Sequence, residues 1–248
     1  MHIRYVIPGP MGRSKAGAAE LRQRRDLLIS WAAPGTEVSL VDADSGPESV
    51  ESAYEDHLSV PLLAAALVTA EREGVDALII GCYDDPGSDA MRELATRTIV
   101  VGPAVASMHV AALGGTQIGI ATVPEPGAVR RLIYASRMSE HVHDIAVIRS
   151  SVLDLREDVG HARAEVRAAA EKLIDAGADV IVLGCMSLSF LTIDEALSVE
   201  LGVPVVNPGR VAPGTAELLV RARLHPSKIA YPTPTKIQQG VSLGEFVA

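Results

Sequence analysis

Cysteine and the aromatic residues are what this chain has least of. Two cysteines stand among 248 residues, and Phe, Trp and Tyr together make up 3%. Two thiols are too few for a disulfide framework or for a zinc site built on cysteine. With so few rings, the core has to be made of Ala, Val, Leu and Ile, which suits buried parallel strands covered by helices. There is no Lys/Arg block, and the net charge is −9, which argues against nucleic acid and anionic membrane surfaces as partners. No apolar run approaches the roughly 18 residues of a spanning helix. The apolar opening, Met1–Ile7, is too short for a signal peptide and reads as a first strand. These features point to the cytoplasm, where both cysteines remain thiols.

What is present is a steady alternation of short apolar runs with helical patterns. Hydrophobic residues make up 48% and charged residues 21%, ordinary for a protein with a real core. Strands are expected at Ile3–Ile7, Thr36–Val41, Val75–Gly81, Thr98–Val101, Gln117–Val123, Ala146–Ile148, Asp179–Gly184 and Val203–Val206. Helices are expected at Ser14–Ala33, Pro47–His57, Pro61–Glu73, from the Asp84–Gly87 loop to Thr96, and at Glu125–Ser136, His161–Ala176 and Thr192–Leu201. Ser14, Ser49 and Ser59 are the candidate caps. Such alternation implies βαβ crossovers and an α/β fold with parallel sheets.

An internal duplication sharpens this. Gly74-Val75-Asp76-Ala77-Leu78-Ile79-Ile80-Gly81-Cys82 matches Gly177-Ala178-Asp179-Val180-Ile181-Val182-Leu183-Gly184-Cys185. A loop, a helix and another Val-Val strand follow each copy. A period of half a chain suggests two similar lobes rather than a solenoid. The expected division is 1–103 plus 215–248 for the first lobe and 104–214 for the second.

Ligands of open parallel sheets bind beyond the carboxyl ends of the strands. Each cysteine stands at such an end, before a loop that leads to a helix, where a thiol pKa can be drawn down from about 8.5. Two such loops facing across a cleft would place a thiolate on one side of a bound carbon and a thiol on the other. One takes a proton as the other returns one, inverting the stereocentre while hydrogen-bond donors stabilise the enolate-like intermediate. The competing reading is that both cysteines are small buried hydrophobes. Asp84 and Asp85 could orient a ligand or cap a helix. Thr122 could offer its hydroxyl to the cleft or merely end a strand, and Ser187 and Ser189 could donate hydrogen bonds or cap a turn. His109, within the apolar stretch Met108–Leu113, reads as packing. The segment Gly9–Lys15 lacks both the phosphate-loop and the dinucleotide spacing, and reads as a site loop whose N–H groups meet an anionic or carbonyl oxygen.

The runs Gly46-Pro47-Glu48-Ser49-Val50-Glu51-Ser52, Gly81-Cys82-Tyr83-Asp84-Asp85-Pro86-Gly87, Met108-His109, Val182-Leu183-Gly184-Cys185 and Tyr231-Pro232-Thr233-Pro234-Thr235-Lys236 resemble the hydantoin racemase branch of the aspartate/glutamate racemase superfamily. The resemblance spans nearly the whole chain. It implies two Rossmann-like lobes related by a pseudo-twofold axis, a cleft between them, and cofactor-free, metal-free 1,1-proton transfer by Cys82 and Cys185. The implied substrate is a small molecule, a 5-monosubstituted hydantoin or allantoin, held by Pro10, Met11, Tyr83, Asp84, Thr122, Met186 and Ser187. A homo-oligomer is expected, since Ala-rich helices are compatible with self-association. Three departures concern the groups around the ring. The first loop reads Pro8-Gly9-Pro10-Met11 where the family has Asn-Pro-Asn-Thr, Val105 replaces a Glu, and Met186-Ser187-Leu188 replaces Ala-Gly-Met. Other readings remain open: a maleate-type isomerase, a malonate-type decarboxylase, or a protein that binds a small molecule without turning it over.

Overall fold

The computed structural model describes residues 1–239 apart from 125. The first half runs β1 (His2–Ile7), α1 (Lys15–Trp31), β2 (Glu37–Asp42), α2 (Ala53–Glu73), β3 (Ala77–Ile80), α3 (Ser88–Leu94), β4 (Ile99–Val101) and α4 (Pro103–Gly114). The second half runs β5 (Ile118–Thr122), α5 (Gly127–Ala135), β6 (Val142–Val147), α6 (Val159–Asp175), β7 (Val180–Leu183), α7 (Met186–Ser189), α8 (Asp194–Leu201), β8 (Val205–Val206) and α9 (Pro208–Arg221), with α10 (Thr235–Gln238) beyond. Two four-stranded sheets result, ordered β2-β1-β3-β4 and β6-β5-β7-β8, with every pairing parallel. This is the expected α/β architecture in two similar halves.

The apolar strand sequences have cores on both faces. Ile3, Tyr5, Ile7, Ala77 and Ile79 point into a core shared with Ile118, Ile120, Val180 and Val182 of the other sheet. Val6, Leu78 and Ile80 pack outward on Leu63, Leu67 and Met91. Ile181 and Leu183 pack outward on Val166 and Leu173. A strand covered on both faces needs no polar alternation, which is why β3 and β7 read as unbroken apolar runs; β1 is broken only by Arg4, which pairs with Glu73.

The helices after the last strand of each sheet cross over. α4 follows β4 yet touches β5, β7 and β8, whereas α9 follows β8 and touches β3 and β4. Neither helix was expected from the sequence. The expected lobe divisions lie at 103/104 and 214/215; α4 begins at Pro103, and α9 runs through the second division. The two crossover helices are started differently. Asp85 accepts from the Ala104 and Val105 amides, both at 3.0 Å, while Asn207 accepts from Gly209 at 2.9 Å and donates to Ser189 and Asp194. Beyond α9 the chain returns to α3, where Lys228 donates to the Arg92 and Glu93 carbonyls.

One expected pair of helices is corrected. Pro47–His57 and Pro61–Glu73 are not two helices: residues 47–52 form a loop and α2 runs unbroken through Pro61. Its cap is Ser52, not Ser49 or Ser59. Ser52 Oγ accepts from the Glu55 amide, and Glu55 reaches back to the Glu51 amide at 2.9 Å. Ser52-Ala53-Tyr54-Glu55 is thus a capping-box sequence passed over in favour of the prolines. The helix expected from Glu125 starts at Gly127; Glu125 lies outside the described residues, as do 240–248.

Candidate active site

The duplicated motif has a physical reason at each of its fixed positions. Gly74 and Gly177 leave their helices at φ of +78° and +117°, values that disfavour any side chain. Asp76 and Asp179 tie down the start of the neighbouring central strand, accepting from His2 N at 2.7 Å and from Gln117 N at 2.8 Å. Gly81 and Gly184 donate to Val6 and Ala121 carbonyls, each at 2.7 Å. A Cβ on Gly81 would stand 2.5 Å from the Val6 oxygen, and one on Gly184 2.6 Å from Thr122 Cβ. The glycine lets the strand hug its neighbour for one residue more, and the following cysteine is then set at the lip of the sheet.

Both lips open on one cleft between the sheets. It is lined from the first half by Ile7, Pro8, Gly9, Met11, Arg24, Pro47–Val50 and Gly81–Asp84, and from the second by Val123, Val152 and Gly184–Ser187. Its empty space is about 590 Å³, mouth included, within the range of small-molecule sites. Of the residues expected at a site, Cys82, Tyr83, Asp84, Cys185, Met186, Ser187 and Met11 meet here. Pro10 does not line the cleft; its neighbours Pro8, Gly9 and Met11 do. Thr122 is buried, and its hydroxyl donates to the Gly184 carbonyl at 2.6 Å. It braces the turn before Cys185 instead of facing a ligand. Asp85 is likewise turned away, occupied with the start of α4.

Sequence reasoning missed Arg24 and the loop 47–50. The loop's role was hidden by the helix expected there; Glu51 at its end accepts from the Val152 amide, bridging the two halves. Arg24 carried a signal. Gly17, Leu21, Arg24, Leu28 and Trp31 share one face of α1, so a cation stands on an apolar stripe. Arg24 is 3% exposed; it pairs with Glu20, donates to Ser187 Oγ at 3.1 Å, and lies 4.7 Å over the Phe190 ring. Phe190 stacks on Trp31 and meets Tyr5 edge-on. Several of the scarce aromatic rings are thus gathered beneath the site, joining α1 to the turn after Cys185.

The two sulfurs sit in different fields. Burial raises Cys82 well above the usual thiol range, and the Asp84 charge adds to it, against the Asp84 amide, which lowers it. Burial also raises Cys185, but the Leu188 and Ser187 amides at the start of α7 and the Arg24 cation oppose it. The expectation that a helix start would draw both thiols down is therefore corrected: burial prevails at each, and only Cys185 has a cation and a helix start opposing it. Asp84, caught between burial and the Asp56 charge, is pushed up to about 7. Among the described residues no His, Cys, Asp and Glu set gathers as a metal-holding group, and no helix is long and apolar enough to cross a membrane.

Comparison with known proteins agrees with this geometry. The family model described as Asp/Glu/Hydantoin racemase matches residues 14–215. A hydantoin racemase of Paenarthrobacter aurescens is 34% identical over 220 residues, covering 86% of this chain and 91% of that one. One of Rhizobium meliloti is 32% identical over 238 residues, covering 94% and 95%. The solved allantoin racemase from Klebsiella pneumoniae superposes with a TM-score of 0.85 at 28% identity, over 94% of each chain. By sequence across most of its length and by fold, the chain belongs to the Asp/Glu/hydantoin racemase family.

Proposed function

We propose that the protein racemises a small molecule at a carbon flanked by carbonyl groups, by proton transfer between Cys82 and Cys185, and that the substrate is a 5-monosubstituted hydantoin with an apolar substituent. The observation that carries this is the pair of Gly-Cys strand ends opening on one cleft. In a substrate seated between them, one sulfur as thiolate takes the proton from C5. The electron pair left on carbon delocalises onto the ring carbonyl oxygens. The other sulfur, as thiol, gives its proton to the opposite face of C5. The two sulfurs end with their protonation states exchanged, and the opposite enantiomer runs the same path backwards.

Burial suits this task. A thiolate that is hard to form is also a stronger base, which a weakly acidic C–H bond requires. The Gly9 amide and the Ser187 hydroxyl, both on residues of the cleft wall, serve as donors to the enolate oxygens; Pro8 and Pro10 have no N–H, and Met11 N donates to the Gly9 carbonyl. Most of the remaining wall, Ile7, Pro8, Met11, Pro47, Val50, Val123, Val152 and Met186, is apolar, with Glu48, Ser49, Asp84 and Arg24 as its polar members. The apolar residues favour an alkyl or aryl substituent on C5 over the polar ureido group of allantoin. No step in this scheme calls for a cofactor.

The test is deuterium incorporation from solvent, with loss of optical rotation, over a panel of 5-alkyl and 5-aryl hydantoins, allantoin and free amino acids. Racemisation with exchange is expected on the hydantoins and should be fastest with apolar substituents. Exchange confined to free amino acids, or none on the whole panel, overturns the proposal.

A further inference from the structure

Among the described residues Arg24 is the one cation that lines the cleft, and the racemase reading given above does not use it. It comes from α1 of the first half but is spent on the second: its guanidinium donates to Ser187, two residues after Cys185, and lies over Phe190 at the end of α7. Cys185 is itself the residue that starts α7, so its sulfur faces the amides of Ser187 and Leu188 as well. Cys82 has the opposite surroundings. Asp84 follows it within the cleft, and Asp56 stands behind Asp84 in a second hollow with Arg131. We propose that Arg24 is a positioning residue that makes Cys185 the thiolate of the pair and leaves Cys82 as the thiol, so that the resting enzyme is polarised in one direction.

Among the described residues, the charged and titratable groups around Cys185 are Arg24 with its partner Glu20 from α1, Asp84 and Cys82 from the β3 lip, Glu48 on the cleft wall, and the phenols of Tyr5 and Tyr83. Burial holds both phenols above their usual range, so they remain neutral. Glu20 balances the Arg24 charge, pairing with Nε and with the same Nη2 that donates to Ser187, which makes a charged guanidinium tolerable at this depth. The consequence for turnover is an asymmetry. When Cys185 takes a proton and Cys82 gives one up, the product complex holds its negative charge beside Asp84, and the return to the resting state, by proton exchange with water, is downhill.

This inference rests on the two-thiol reading but is tested without turnover. Thiolate ultraviolet absorbance is titrated in the full-length chain carrying Cys82→Ala, which leaves Cys185, and in the chain carrying Cys185→Ala, which leaves Cys82. Cys185 is expected to titrate at the lower pH. Adding Arg24→Gln with Glu20→Gln to the Cys82→Ala chain should raise that midpoint by about one pH unit, the smaller end of what a neighbouring opposite charge does. Arg24→Lys should restore it. A lower midpoint for Cys82, or a Cys185 midpoint that ignores Arg24→Gln, overturns the proposal. The first comparison needs no change at Arg24, so it decides the order of the two thiols even if the Arg24 variants do not fold. If the order holds and no substrate exchanges deuterium, the racemase reading fails and this one stands; racemisation with the order reversed does the converse.

Discussion

Replacing Gly184 by Ala drives a methyl group into a place already filled. The new Cβ would lie 2.6 Å from Thr122 Cβ, 2.8 Å from Ile120 Cγ2 and 2.9 Å from Thr122 Oγ1. None of these is the free end of a flexible chain: Ile120 is fully buried and Thr122 is held by its bond to the Gly184 carbonyl. Relief therefore requires β7 to move away from β5, which strains the 2.7 Å bond from Gly184 N to Ala121 O. Overpacking of this kind costs about 1–3 kcal/mol. The next residue is Cys185, so the same shift displaces the sulfur, and a misplacement near 1 Å costs about 100-fold in rate. The matched control is Gly114→Ala at the end of α4, where nothing lies within 4 Å of the new Cβ. That change should stabilise by about 0.4–1 kcal/mol. Urea unfolding followed by circular dichroism reads both variants, and racemisation of a hydantoin reads the site. Equal unfolding midpoints for the two, or a Gly184→Ala enzyme with unchanged rate, would refute the claim that close approach of β7 to β5 is what requires glycine before Cys185.

Cys82→Ala and Cys185→Ala should each abolish racemisation while leaving one-sided deuterium exchange on a single enantiomer, read by mass spectrometry; full racemisation by either variant ends the two-thiol scheme. Thr122→Val keeps the shape but removes the donor to the buried Gly184 carbonyl, and thermal or urea unfolding should show a loss of about 1–3 kcal/mol. Asp84 and Asp85, both pushed up to about 7 by burial, keep protons in the folded chain that the unfolded chain releases near pH 4. Stability from these groups is therefore complete below that pH and falls as pH rises toward 7. Asp84→Asn should flatten the fall in urea midpoints measured across that window.

The strands were legible because their residues report their surroundings directly. Ala77–Ile80 and Val180–Leu183 are apolar on successive positions, as befits a strand covered on both faces, and the pairing of these two segments, each followed by Gly-Cys, locates the cleft. The helices α4 and α9 were not legible. Pro103–Gly114 is apolar nearly all round, so no stripe marks it, and its Pro-Ala-Val-Ala start gives no side-chain cap; the cap comes from Asp85, distant in sequence. α9 begins Pro-Gly and has Pro213 inside, residues that argue for a turn when taken one at a time. What makes it helical is the start supplied by Asn207 and packing against the other half's strands.

The site divides along the same line. Residues adjacent to the duplicated motif, Tyr83, Asp84, Met186 and Ser187, could be read from the position of the cysteines, because a residue next to a strand end shares its cleft. Thr122 was misplaced for a related reason: a strand end was rightly expected near the cleft, but which way its hydroxyl turns depends on the carbonyl of Gly184, a partner 62 residues away. Arg24 needed the reverse inference, from a charge on an apolar helix face to something buried that wants it. That something is the turn after Cys185, on the other half of the molecule, and the duplication offers no counterpart to point to it. The first half has the acid Asp84 beside its cysteine where the second has the cation Arg24, so two copies of one motif have been given neighbours of opposite kind. A symmetric fold thereby acquires a preferred direction, and the difference lies in residues that the repeat itself does not contain.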